Sequence, residues 1–245
     1  MIGARVRAVP VWRRYERVSM LHLFPTSCVR ARRLLAASLL AGLAGCASQP
    51  PVSPKGLPQR VEISSVPFYR GHANHGGAMA LAAMLSQQGV RITPGLLDKP
   101  LGLPEAADDL EVGIPRVARD YGMVVYSLDK RLQALLTQVA AGNPVLVRYR
   151  DGAAFWGESR YAVMIGYDAY EQRVLLRSGM NRRQRMAFDD FNSAWEKEGN
   201  WAVLVQPPRH LPAQVDRQRW LRAAEELAGA GQELAARQAV SALEQ

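Results

Sequence analysis

One segment restricts the fold more than any other part of the chain, namely Val66 to Gly89, which contains a helix without a polar face. Every residue from Ala78 to Leu85 is apolar, whereas a helix at a protein surface carries polar residues along one side. This run therefore predicts a central helix that is buried on all sides. Gly89 follows the run and is a suitable C-terminal cap.

The N-terminal end of this helix is the first candidate functional site. Asn74 and the Gly76-Gly77 pair stand where the helix is expected to begin and to meet a cleft. The first backbone N–H groups of a helix have no partner within it, and they favour negatively charged groups. We therefore expect a ligand at this helix end.

The first 45 residues have the composition of a secretory signal. Arg30, Arg32 and Arg33 precede the apolar run Leu34 to Gly45, which is short for a membrane span. Residues 1–45 carry +7 of the formal net charge of +9, so the rest of the chain is nearly neutral. This distribution argues against a nucleic-acid partner. Met20 is an alternative start that preserves the whole signal.

The end of the signal, Leu43-Ala44-Gly45-Cys46, resembles the lipobox of bacterial lipoproteins. The resemblance implies that Cys46 is lipidated and becomes the mature N-terminus. With Ala47 next to it, the resemblance implies a lipid anchor in the outer membrane, facing the periplasm of the cell envelope. Residues 46–60 are rich in Pro and form a tether. Cys28 and Cys46 are the two cysteines of the chain, so the predicted mature protein has no free thiol and no intramolecular disulfide.

Residues 61–208 predict one α+β domain. Pro115 is suited to the first position of a short helix, Asp129 to a helix cap, and Asp189 or Asp190 to another cap. Arg182 to Arg185 form a basic run that we interpret as a hairpin turn. The predicted strands and helices after the central helix are the helix Ile114–Tyr121, the strand Met123–Ser127, the helix Leu132–Ala141, the strands Val145–Tyr149, Tyr161–Tyr167 and Arg173–Arg177, a helix with Phe191 and Trp195, and the strand Trp201–Val205.

The last segment, residues 215–245, predicts a helical hairpin that bends at Gly229-Ala230-Gly231. Its apolar positions, from Trp220 to Leu243, fall where a tetratricopeptide repeat keeps its packing residues. A single repeat cannot bury its own apolar face. The hairpin must therefore dock on the main domain or on a partner; a plain helical hairpin fits the pattern equally well.

Several strings in residues 61–208 resemble the papain-like cysteine peptidases of the bacteriocin-processing type, which cleave after double-glycine leaders. More narrowly, the chain resembles a lipoprotein subgroup with a C-terminal tetratricopeptide-like segment. The resemblance implies a papain-like domain with a buried helix packed against an antiparallel sheet. The strings are Val66-Pro67-Phe68, the helix after Gly77, Ala141 to Val147, Tyr161-Ala162-Val163, Ile165 to Asp168, and Arg177-Ser178-Gly179.

The positions at which such a peptidase carries its chemistry are vacant. The nucleophilic Cys is replaced by Gly76, and the general-base His by Arg160. The residue that orients the base falls at Arg177 or Ser178, and the oxyanion Gln at Arg70 or Gly71. The resemblance therefore implies a catalytically inactive protein without a cofactor, whose former active-site cleft binds a peptide or an envelope protein.

Three hypotheses follow for the site. The first is the binding module just described. The second is an active hydrolase with noncanonical or metal-assisted chemistry, for which His72 and His75 are weak zinc candidates and Asp108 or Asp109 would be guesses. The third has Arg160 facing the helix end and binding an anion, unless Arg160 simply pairs with Glu158. No metal site is predicted. The candidate ligand-binding residues are His72, Asn74, His75, Gly77, Trp156 and Arg160.

Overall fold

A seven-stranded antiparallel sheet forms the centre of the protein, in a computed structural model that describes residues 56–152 and 157–244. The predicted signal, Cys46, most of the tether and Trp156 lie outside these residues. The strands follow the spatial order β2-β7-β3-β4-β5-β6, and β1 pairs with the end of β4. The strands are β1 (Arg60–Glu62), β2 (Val124–Ser127), β3 (Val145–Asp151), β4 (Glu158–Asp168), β5 (Arg173–Ser178), β6 (Asn181–Ala187) and β7 (Ala202–Gln206).

Seven α-helices cover the two faces of the sheet within the described residues. The strands bury side chains on both faces because alternate residues point to opposite sides, as Leu175 and Leu176 do. The helices are α1 (Gly76–Gln87), α2 (Pro94–Leu101), α3 (Leu110–Asp120), α4 (Leu132–Ala140), α5 (Phe188–Glu196), α6 (Arg217–Gly229) and α7 (Glu233–Ser241).

The first face of the sheet is covered by α1, α2 and α3. Residues 76–85 of α1 are all buried, and Leu81, Ala82 and Leu85 have no exposed surface at all. This confirms the central buried helix. The chain leaves α1 through Gly89, whose φ of +87° suits glycine, and the amide of Gly89 donates to the carbonyl of Ser86 over 3.0 Å. The uniformly apolar sequence of α1 thus reflects contact with the sheet and with two other helices.

The second face carries α4, α5 and the C-terminal hairpin of α6 and α7. Trp220 on α6 is fully buried, lies 6.1 Å from the Tyr126 ring of β2, and donates from Nε1 to the Ala239 carbonyl of α7 over 2.7 Å. The segment before α6 is fastened by Gln138, whose side chain makes hydrogen bonds of 2.8 and 3.0 Å with the backbone of Ala213. The hairpin therefore packs on the main sheet of its own chain.

Four local predictions were wrong. Pro115 lies inside α3 because Leu110, Ile114 and Val117 bury one continuous helix face, which outweighs the missing N–H of the proline. Arg182 to Arg185 belong to the edge strand β6, not to a turn, because an edge strand pairs on one side only and tolerates exposed charges. Neither Asp129 nor the Asp189-Asp190 pair caps a helix, and Asp129 instead binds Arg131 and Arg219.

None of the described helices has the length and the apolar character needed to cross a membrane.

Candidate functional site

The N-terminus of α1 meets the sheet at Gly76. A 3₁₀ turn, Ala73–His75, leads into the helix, whose first turn contains no acidic residue and receives no side-chain cap. A Cβ atom built on Gly76 would lie 3.8 Å from the backbone N and O of Tyr161, which is ordinary van der Waals contact. A side chain at position 76 would therefore have room and would lie against β4, one residue beyond Arg160.

Gly77 has a different reason to be glycine. A Cβ atom on this residue would come within 2.6 Å of Leu110 Cδ1 on α3. The glycine thus allows α1 and α3 to pack closely. Gly77 therefore contributes to the packing between α1 and α3. Its backbone amide belongs to the first turn of α1, which no side chain caps.

A wide cleft lies beside this helix end. Its volume, including the open space at its mouth, is about 1160 Å³. His72 and Asn74, two of the predicted ligand-binding residues, line it. His75 points elsewhere, because its Nδ1 lies 3.2 Å from Asp98 Oδ1 on α2. The residues of the wide cleft are His72, Asn74, Ala107, Asp108, Leu110, Glu158, Ser159 and Tyr161.

Tyr161 forms the floor between the wide cleft and the sheet. Its ring is buried, its hydroxyl has no hydrogen-bond partner among the described residues, and burial raises the pKa of its phenol far above the ordinary value. The Arg148 guanidinium lies 5.8 Å from the ring centroid and forms 2.9 Å contacts with carboxylates of Glu111 and Glu198. The phenol of Tyr161 therefore stays protonated. Its ring lies beside the Arg148 guanidinium, whose charge is paired with Glu111 and Glu198.

Arg160, which the family resemblance assigns to the position of the general base, is already paired. Its Nε lies 2.9 Å from Asp151 Oδ2, and its Nη2 lies 3.2 Å from Glu158 Oε2. This is the pairing with Glu158 that the sequence left open as the alternative to anion binding. Because the two carboxylates compensate its charge, Arg160 is a poor candidate for an anion receptor.

Arg177 and Ser178, which the family resemblance assigns to the residue that orients the base, point to opposite sides of β5. Ser178 Oγ lies 3.0 Å from the Tyr149 hydroxyl on the face of α4 and α5. Arg177 lines a narrow groove on the face of α1 and is only 7% exposed. It has no hydrogen bond or ion pair among the described residues, and burial together with the nearby charge of Arg182 lowers the pKa of its guanidinium.

The narrow groove lies between α1, the sheet and the segment that precedes α1, and its enclosed part has room for about one water molecule. The segment is attached to the sheet by a hydrogen bond of 3.4 Å from the Gly71 amide to the Gly179 carbonyl. Arg70, at the other position for the oxyanion residue, is exposed. The residues of the narrow groove are Pro67, Phe68, Tyr69, Gly76, Met79, Ala80, Ala83, Tyr161, Val163, Arg177, Ser178 and Gly179.

Residues 56–152 and 157–244 contain no cluster of three or more His, Cys, Asp or Glu side chains that could hold a metal ion. His72 and His75 do not share a third ligand there.

The comparisons with known proteins concern the fold. No protein-family model matches the sequence, and no curated protein matches it. Among solved structures, a C39-like peptidase candidate from Bacillus anthracis is similar with a TM-score of 0.47 and 17% identity, over 60% of this chain and 98% of that one. The peptidase domain of Streptococcus ComA, a bifunctional ABC transporter of a quorum-sensing pathway, has a TM-score of 0.45 and 17% identity, over 57% and 96%. The chain itself has an α+β fold built on an antiparallel sheet.

Proposed function

We propose that the protein is a catalytically inactive, peptidase-like binding module that holds a peptide or a protein segment in the cleft at the N-terminus of α1. The observation that carries this proposal is Gly76, a position that would accept a Cβ atom without a clash and that the family resemblance assigns to the nucleophile. The alternative, an active hydrolase with noncanonical or metal-assisted chemistry, is not favoured by any cluster of side chains among the described residues.

The residues at the former catalytic positions support the loss of chemistry. A cysteine peptidase needs a thiolate and a base that accepts its proton. Glycine supplies no nucleophile, and an arginine such as Arg160 stays protonated in proteins and cannot act as a base. The two cysteines of the chain, Cys28 and Cys46, precede the described residues and belong to the predicted signal and lipid site.

The retained shape supports a binding role. The wide cleft and the narrow groove share Tyr161 in their linings, so an extended segment lying across the helix end can contact both. Apolar walls and a few polar groups that converge on one place are typical of ligand sites. The uncapped first turn of α1 adds free backbone donors.

The first test measures turnover. The purified protein is incubated with double-glycine peptides and, separately, with a thiol-directed activity probe. We expect neither cleavage nor labelling at the cleft. Cleavage that a cleft substitution abolishes would contradict the proposal.

The second test measures retention of a defined mixture of peptides from a digest of envelope proteins. We expect the protein to retain a subset of them, and Asn74→Trp, which places a bulky ring in the wide cleft, to release them. Asn192→Trp is the matched control, since Asn192 is exposed on α5 on the other face of the sheet. Equal retention by both variants would place the binding site elsewhere.

We also propose that a lipid at Cys46 holds the protein in the cell envelope, in the outer membrane facing the periplasm. The lipobox-like string in front of Cys46 supports this placement. Cys46→Ser should move the protein from the membrane fraction to the soluble fraction and remove lipid labelling. A variant that stays in the membrane fraction would refute the anchor.

A further inference from the structure

Arg177 faces the helix α1 from the sheet. Leu175, two residues earlier on β5, belongs to the apolar cluster that includes α1, so the alternation of the strand directs position 177 to the same side. Its partner across the ladder is Val163 of β4, which belongs to that cluster too. The guanidinium therefore enters the narrow groove between the sheet and α1.

Arg177 forms no ion pair and no side-chain hydrogen bond within the described residues, and the carboxylate of Glu62, which itself pairs with Arg183, offsets its charge only in part. The side chain is only 7% exposed, and its Nε is buried without an acceptor in the described part of the chain. Burying an unpaired charge is costly, and buried polar groups in native proteins almost always have a partner, which can be a water or an ion.

Three other arginines differ from Arg177 because each forms an ion pair with the protein's own carboxylates. Arg148 contacts Glu111 and Glu198, Arg160 contacts Asp151 and Glu158, and Arg119 contacts Glu226. Each of these cations is compensated by carboxylates of the protein itself. Arg177 lacks such a carboxylate, so the missing partner is expected to come from outside the described residues.

The N-terminus of α1 supplies a second set of donors in the same groove. Gly76 packs on Tyr161, and Arg177 lies opposite Val163, two residues further along β4. Two residues of a strand span about 7 Å. An anion between these points can accept hydrogen bonds from the guanidinium while it lies near the positive end of a 12-residue helix without an acidic residue in its first turn.

We propose that Arg177 and the N-terminus of α1 bind a carboxylate of the bound peptide segment, an inference that rests on the proposed binding function. The enclosed part of the narrow groove has room for little more than one water molecule, so the carboxylate lies at its open side, where the guanidinium can bind it through two parallel hydrogen bonds. The carboxylate comes either from the C-terminus of the segment or from an Asp or Glu side chain.

The test uses small probes whose carboxylates differ. N-acetylglycine represents a chain terminus, the α-amide of N-acetylaspartate represents a side chain, and N-acetylglycinamide is the neutral control. At equal ionic strength, one of the two acids represents the carboxylate that the site binds. At about ten times its Kd, we expect this acid to raise the melting temperature of the purified protein by about 2–5 °C. The neutral amide should leave the melting temperature unchanged. The acid with the larger effect identifies the source of the carboxylate.

Variants assign the effect to the site. Arg177→Gln should remove the rise, whereas Arg173→Gln should keep it, because Arg173 is an exposed arginine on the same strand. Arg177→Lys, which keeps the charge but loses the two parallel bonds, should weaken binding at least fivefold. It also tests the site if the Gln variant does not fold. A rise that persists in the Gln variant, an undiminished rise in the Lys variant, or no rise with either acid overturns the inference.

The peptide-retention test separates this inference from the proposed function. If the wild type retains amidated peptides without acidic residues as well as acidic ones, the carboxylate site is refuted while the binding module stands. If the wild type retains no peptide but N-acetylglycine still acts through Arg177, the anion site stands and the peptide-binding function is refuted.

Discussion

At the scale of single residues, the two glycines at the start of α1 are glycine for different reasons. Position 76 has room for a Cβ atom, whereas position 77 does not, because Leu110 of α3 lies against it. The absence of a side chain at position 76 is therefore not imposed by packing. It is the residue-level feature on which the proposed loss of catalysis depends.

This difference predicts opposite effects of the same substitution. Gly76→Ala should raise the free energy of unfolding by about 0.5–1 kcal/mol, because alanine restricts the unfolded chain and suits a helix. Gly77→Ala should lower it by about 1–3 kcal/mol through overpacking against α3. Urea denaturation of both variants measures the two changes. A similar loss in both would mean that position 76 is as crowded as position 77.

The buried arginines predict a second contrast. Arg177→Leu should leave the free energy of unfolding unchanged or raise it, because the substitution removes a buried charge without a partner. Arg148→Leu should lower it by about 1–3 kcal/mol, because Glu198 is buried and loses one of its two arginine contacts. The same denaturation experiment compares them. A large loss in Arg177→Leu would show that Arg177 has a structural partner.

At the scale of elements, the C-terminal hairpin belongs to the core of the sheet's second face. Trp220→Ala should lower the free energy of unfolding by about 3–5 kcal/mol, since the ring is fully buried and anchors α6 to α7 and to β2. Thermal and urea denaturation check this value, with Leu234→Ala on the exposed side of α7 as the control. An effect as small as that of the control would mean that the hairpin is loosely attached.

The loop before α4 is attached to α6 by a pH-dependent contact. Hydrogen bonds from Arg219, and then from Arg131, lower the pKa of the Asp129 carboxyl. A carboxyl with a lowered pKa in the folded state stabilises the fold above its unfolded pKa of about 4, and this contribution is lost as the pH falls through the folded value.

Asp129→Asn should therefore reduce the free energy of unfolding at pH 7, by up to about 1 kcal/mol because the contact is partly exposed. The difference from the wild type should shrink as the pH falls below the unfolded pKa of about 4 and on through the lowered folded value. Urea denaturation at pH 7 and at acidic pH tests this, with Asp190→Asn as the control, since Asp190 makes no ion pair among the described residues. A difference that grows in acid would contradict the sign.

Much of the element order could be predicted because it depends on local periodicity. The apolar run of α1 and the strings of β3, β4, β5 and β7 define their elements without knowledge of the neighbours. The predictions were wrong where contacts with a neighbouring element, and not the local sequence, determine the structure. Pro115 is tolerated inside α3 because the buried face of that helix continues through it, and the basic run Arg182 to Arg185 forms a strand because β5 offers it an edge.

The site was predictable only as a location. His72 and Asn74 line the wide cleft, as the position of the helix end suggested, but His75 turns to Asp98. The sequence singled out Arg160 as the cation facing the helix end and gave Arg177 no such role. The difference depends on which acidic residues the hairpin β3-β4 brings to Arg160, and on the face of β5 to which Arg177 points.

At the scale of the whole molecule, one sheet has the wide cleft on the side of α1 and packs the C-terminal hairpin on its other side. At the positions where the family resemblance expects catalytic residues, the chain carries Gly76, Arg160, Arg177 and Ser178. A scaffold of this kind can hold an extended segment without cleaving it.

The most direct test of this proposal is photocrosslinking from the wide cleft in cells. A photoreactive residue replaces Asn74, or Asn192 as the control on α5, and mass spectrometry measures the attached peptide or protein. The proposal predicts a specific adduct from position 74 that carries an intact partner segment. Shortened segments at position 74, or the same adducts from both positions, would contradict it.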